Sequence, residues 1–120
     1  MAMLTRDMIL AADDLPKELV EVPEWGGSVY VRCLTGTERD AWEASVVEMG
    51  KDGKTKPNME NLRAKLVART LCDEAGARVF SDGDVAVLGA KSAAAMDRLY
   101  SVAARLSKIS KEDESELLGN

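Results

Sequence analysis

The chain contains no histidine. That removes Ser-His and Cys-His nucleophilic pairs and every histidine metal ligand, so the commonest hydrolase and metalloenzyme constellations have nothing to be built from. The two cysteines, Cys33 and Cys72, lack Cys-x-x-Cys spacing and read as buried thiols of a reducing compartment, not as a disulfide or metal pair. Aromatic residues are 4% of the 120 positions against 46% hydrophobic residues, so a core has to be made of Val, Leu, Ala and Met. Acidic residues outnumber basic ones, 21 to 16. The formal net charge is −5 and only Lys51–Lys56 forms a local basic run, which argues against a nucleic-acid partner and a DNA-binding regulator. No long apolar run and no charged-then-apolar leader occur, so no membrane partner and no export by that route are expected. Gly-rich phosphate-binding patterns are missing too, and no cofactor is expected.

What is present is organised around Leu19–Glu43, LVEVPEWGGSVYVRCLTGTERDAWE. Gly26-Gly27 is a two-residue hairpin signal, because both glycines can take positive φ. A turn centred there pairs Val22 with Val31, Val20 with Cys33, and Glu21 with Arg32 as a cross-strand ion pair. Val20, Val22, Val29, Val31 and Cys33 then share one buried face. Pro23 fits this register badly, since it would face Tyr30 without an N–H to give, and a bulge or an edge position is expected. After Leu34 the period changes. Thr37 is the expected N-cap with Asp40 at N3, and Ala41, Trp42, Val46 and Met49 follow at helical spacing, giving a helix over about Glu38–Met49.

Met1–Ala12 reads as a short helix capped by Thr5, with Leu4 and Ile9 at hydrophobic-staple spacing, ended by Asp13, Asp14 and Pro16. Gly50–Asn58 is a basic, Gly- and Pro-containing loop. Met59–Cys72 carries one apolar stripe of a helix, Met59, Leu62, Leu66, Val67 and Leu71. Val79-Phe80 is a candidate extra strand, and Ser81 with Asp84 caps a short helix over Asp82–Leu88 closed by Gly89. Ser92–Lys108 is the longest helix. Its stripe is Met96, Leu99, Tyr100, Ala103 and Leu106, and its alanines admit a close helical neighbour from this fold or from another subunit. Ser110–Asn120 reads as a cap and an acidic, weakly packed tail. The fold class is α+β and helix-dominated: one antiparallel β-hairpin packed against four to five mostly short helices. Residues 1–110 form a single domain and residues 111–120 a flexible acidic tail.

Catalysis finds no footing in these residues. The acidic pairs Asp13-Asp14, Asp73-Glu74 and Asp82/Asp84 lie at helix ends, where capping and the macrodipole account for them. Asp82-Gly83-Asp84 has part of a calcium-loop pattern but not its spaced ligands or terminal Glu. The chain is read as a non-enzymatic interaction domain. Trp25 beside the turn and Tyr30 on the polar face are the exposed-aromatic candidates for a partner surface, and Met96, Leu99, Tyr100 and Ala103 are the candidates for a helical one.

Three segments carry a resemblance. They are MLTRDMILAADDL at Met3–Leu15, EVPEWGGSVYVRCLTGTERDAWEAS at Glu21–Ser45, and NLRAKLVARTLCDEAGARVFSDGDVAVLGAKSAAAMDRLYSVAARLS at Asn61–Ser107. In them the chain resembles the tail assembly chaperones of long-tailed (siphovirus) bacteriophages. The resemblance implies a protein made in the host bacterial cytoplasm during phage or prophage expression. It implies a partner, the tape measure protein, which such chaperones coat and keep soluble, and a second, the tail tube protein, whose subunits they help recruit. It also implies self-association and absence from the finished virion. Many members are made in two forms, the longer by a minus-one ribosomal frameshift near the end of the short one. The ending Leu118-Gly119-Asn120 is compatible with a slippery heptamer, provided Leu118 is encoded by CTG or TTG, Gly119 by GGA and Asn120 by AAC or AAT. The alternative is a structural component, a head–tail connector or tail terminator that stays in the particle.

Overall fold

Pro23 decides the central hairpin. With no N–H to give and φ fixed near that of a helix, it leaves the ladder and opens a single 3-10 turn, Pro23–Trp25. Gly26 closes the turn in the left-handed region at φ 75°, its N–H bonded to Pro23 O at 3.1 Å. In this computed structural model, which describes residues 2–117, strands β1 (Lys17–Val22) and β2 (Gly27–Arg32) therefore flank a four-residue connection instead of a two-residue one. The register changes accordingly. Val22 faces Gly27, Val20 faces Val29 and Glu21 faces Ser28. The expected Val22–Val31, Val20–Cys33 and Glu21–Arg32 pairs do not form. Each partner has moved by an even number of residues, so the faces survive: Val20, Val22, Val31 and Cys33 are buried and Val29 is partly so.

The next helix starts two residues earlier than its expected cap. Thr35 and Glu38 form a reciprocal capping box on α2 (Gly36–Ser45), in place of Thr37 and Asp40. A Glu at N3 reaches back to the N-cap N–H. It is also held there by Arg32, which takes Glu38 as its ion partner instead of Glu21. The helix stops at Ser45. Val47–Met49 (β3) pairs with Thr55–Pro57 (β4) in a second small hairpin, so the expected basic loop is largely a β-arm. Gly50 N–H to Lys54 O at 2.8 Å closes its tip.

Helix α3 (Leu62–Thr70) also ends early. The Thr70 hydroxyl turns back onto Leu66 O and Val67 O, and Leu71-Cys72 becomes a two-residue strand, β5, against β2. The first sheet therefore has the antiparallel order β1-β2-β5. Val79-Phe80 is not itself a strand, although Val79 N–H bonds Leu71 O beside it. Ser81 and Asp84 form the expected capping box, on a 3-10 turn that leads into α4 (Val85–Gly89).

Helix α5 (Ala93–Leu106), capped by Ser92, runs antiparallel to β1 and is clamped at two points, Arg98 to Glu24 and Arg105 to Glu18. Its apolar stripe packs on α3 and on the hairpin. The core is Val20, Val22 and Val31 with Leu66, Val67, Leu99 and Trp42. Residues 111–117, expected as tail, form α6 (Lys111–Leu117). Ser110 and Asp113 cap each other at 3.0 Å, acidic residues fill the first turn, and Leu117 packs against the core. Leu118, Gly119 and Asn120 lie outside the described residues.

Candidate partner-binding groove

The shortness of β5 creates the main surface feature. β5 covers only Tyr30 and Val31, so Gly27–Val29 run past its end with β1 on one side alone. The chain then turns back at Asp73–Gly76, where Gly76 takes φ 90°. The returning segment brings Val79 and Phe80 alongside. An open hollow of about 360 Å³ results, walled by Trp25, Val29, Tyr30, Leu71, Val79 and Phe80, with Asp73 on its rim. Apolar atoms dominate its lining.

Trp25 and Tyr30, five residues apart in sequence, meet in this groove because the four-residue turn folds Trp25 back beside β2. Both are partly buried, and the Lys17 ammonium lies 5.6 Å from the Tyr30 ring centroid, a cation–π contact on the outer face. The other sequence candidates are not brought there. Met96, Leu99 and Ala103 are 3%, 0% and 0% exposed and lie in the core, so the face they would offer a partner is already covered within the chain. The same packing, α5 on α3, accounts for the buried alanines Ala95, Ala103 and Ala104. Tyr100 is half-buried under α6, its hydroxyl donating to Glu114 Oε1 at 3.0 Å. Burial, and then the Glu114 charge, push its phenol well above the ordinary value.

Val79, Phe80 and Leu71 were not legible as site residues. Their helical or strand reading put them on covered elements. A second surface was also missed. Helix α1 (Arg6–Ala11), capped by Thr5 as expected, buries none of its residues. Met3 is 91% exposed, and Leu4, Met8, Ile9 and Leu10 lie between 49% and 67%. The spacing was visible in the sequence; that nothing in the fold would cover it was not.

The remaining reactive groups are structural. Cys33 and Cys72 are free, buried thiols whose pKa burial raises. Asp82 is bound by Arg78 at 2.8 Å, and Asp84 is committed to the Ser81 cap. Among the described residues, no three His, Cys, Asp or Glu side chains gather as a metal site. None of the described helices is long and apolar enough to cross a membrane.

An acidic α+β domain with an open apolar groove and an uncovered apolar helix has the surface of a binding protein. The profile of the family described as phage tail assembly chaperone matches residues 5–116. The chain belongs to that family. Its fold is similar to that of the bacteriophage HK97 tail assembly chaperone, with a TM-score of 0.60 at 23% identity, over 83% of this chain and 94% of that one. No curated protein matches it.

Proposed function

We propose that this chaperone binds the tape measure protein of its phage, keeps it soluble, and helps recruit tail tube subunits to it. On this reading it works in the host bacterial cytoplasm, has no enzymatic role, and is left out of the finished virion. The observation that carries the reading is the groove. Exposed Val79 and partly exposed Trp25, Tyr30 and Phe80 wall an open, mainly apolar hollow of about 360 Å³, a shape suited to the apolar side chains of an amphipathic helix. The net charge of −5 suits a holder that must itself stay soluble. The structural-component alternative has no observation in its favour. A tagged copy expressed during infection tests both readings: the expected result is co-purification of the tape measure protein from cells and absence of the chaperone from purified particles by mass spectrometry. Its presence in particles at stoichiometric level would favour the connector or terminator reading.

A further inference from the structure

We infer that α6 is a releasable latch, and that the seat it fills, formed by α2 and α5 around Tyr100, is a docking site for an acidic amphipathic helix of a partner protein. The fold is complete before α6 begins. Helix α5 ends in a Schellman turn. Lys108 takes the left-handed region at φ 58°, its N–H bonds Arg105 O at 3.2 Å, and Ile109 N–H bonds Ala104 O at 2.9 Å. Ile109, 8% exposed, supplies the apolar contact that closes such a turn. The end of α5 is thus sealed without any residue of α6.

What holds α6 is thin and mostly polar. None of its seven residues is buried. The Tyr100 hydroxyl donates to Glu114 Oε1 at 3.0 Å, and the Arg39 guanidinium reaches Asp113 Oδ2 at 3.4 Å. Leu117 is the one apolar side chain that α6 lays on the core. A helix this short does not stand alone in water, so undocking and melting are one event. Release costs only those contacts, because Ile109 stays pinned.

The latch itself shows what the seat accepts. It carries one lysine against four carboxylates, Glu112, Asp113, Glu114 and Glu116. The seat meets them with Arg39 on α2 and with Arg63 on α3, whose charge reaches the Tyr100 phenol while its guanidinium pairs with Asp97. Tyr100 adds a half-buried ring and a hydroxyl that bonds a carboxylate. The matching ligand is a helix with adjacent acidic residues and a leucine one turn later, as in Asp113, Glu114 and Leu117. Such a helix displaces α6 and takes over its contacts. Until then α6 keeps the seat closed through its high effective concentration. The inference concerns this helix and its seat, and stands whatever the hollow beside β2 binds.

Hydrogen exchange on the native full chain is the first test. Amides of α6 should exchange at least about 100-fold faster than those of α5, at a rate that low urea leaves unchanged, as in local opening. Exchange and urea dependence shared by the two helices overturn the latch. The second test uses a fluorescein-labelled, helix-stapled peptide with the sequence Ser110–Leu117. Full-length Leu117→Asp should stay folded by circular dichroism and bind this peptide at least about tenfold more tightly than wild type, in which α6 competes. Glu114→Lys in the peptide should weaken binding at least about tenfold, since it loses the Tyr100 bond and meets the arginines with the wrong sign. Equal binding by the two chains, no binding to Leu117→Asp at about 1 mM peptide, or indifference to Glu114→Lys overturns the docking site. A Leu117→Asp chain that does not fold overturns the latch, since α6 would then belong to the core.

Discussion

Arg32 and Glu38 meet across the junction of hairpin and helix, two guanidinium N–H groups donating to the two carboxylate oxygens at 2.7 and 2.9 Å. The same carboxylate accepts from Thr35 N–H at 2.9 Å, and the same guanidinium donates to Cys33 O and to Gly76 O. One ion pair thus joins the end of β2, the start of α2 and the turn after β5. That turn is the one that sends Val79 and Phe80 back to wall the groove. The pair is nearly dry, with 6% and 16% of the two side chains exposed.

Removing one partner should therefore cost more than a surface ion pair would. Glu38→Ala leaves the Arg32 charge buried without its carboxylate and opens the capping box, and is expected to destabilise by about 3 kcal/mol. Urea unfolding should show a lower midpoint with an unchanged slope. A loss below about 0.5 kcal/mol would mean that the pair is not a junction of the fold.

Acid should act through the same carboxyl. Burial alone pushes Glu38 up, but the Arg32 hydrogen bonds and the Thr35 N–H outweigh it and hold it below its ordinary 4.5. Asp82, bonded by Arg78, and Asp113, bonded by Ser110 N–H, are lowered as well. A group with a folded value below its unfolded one contributes in full above the unfolded value and loses the contribution as pH falls through the folded value. Melting temperature should hold above about pH 4.5 and fall below it. In Glu38→Gln the whole curve should lie lower and the acid limb should be shallower. Parallel acid limbs in the two proteins would refute this.

The buried face of the hairpin has its own test. Val31 is fully buried, and Val31→Asp would place a carboxylate among Val20, Leu66 and Leu99 without a partner, costing several kcal/mol. Soluble yield should collapse, while Ser28→Asp, on the exposed face of the same strand, should be tolerated. Wild-type yield and melting of Val31→Asp would contradict the assigned face.

Client binding through an apolar groove should depend weakly on salt, because salt screens exposed charges and leaves apolar burial intact. Tape measure fragments captured by the chaperone should stay bound on raising sodium chloride from about 0.1 to 0.5 M, a range over which the screening length roughly halves. Trp25→Ala should weaken capture by about 2 kcal/mol, as loss of an aromatic anchor does. Steep loss with salt would move the contact to the β3–β4 arm, where Lys51, Lys54 and Lys56 are exposed.

What the sequence determined by itself is the part of the structure that rests on local periodicity and side-chain chemistry. Alternating valines fixed which face of the hairpin is buried, because the pairing moved by four residues, and an even shift in register leaves the faces unchanged. The caps at Thr5 and at Ser81 with Asp84 were legible, since short polar side chains at a helix start bond its free N–H groups: Thr5 Oγ1 accepts from Met8 N–H and the Asp84 carboxylate from Ser81 N–H. The family texture was legible as well. What only the tertiary structure decided is where elements stop and what covers them. Leu71 and Cys72 continue a helical stripe in sequence, yet they leave the helix because the edge of β2 offers backbone partners. Val47–Met49 likewise trade helix for a hairpin with Thr55–Pro57. Met96, Leu99 and Ala103 carry the same amphipathic pattern whether their neighbour is α3 or another molecule, and only packing chose α3. Leu4, Met8 and Ile9 carry that pattern too and were left uncovered. A stripe of apolar residues records that a surface is to be buried; which surface meets it is a property of the assembled fold.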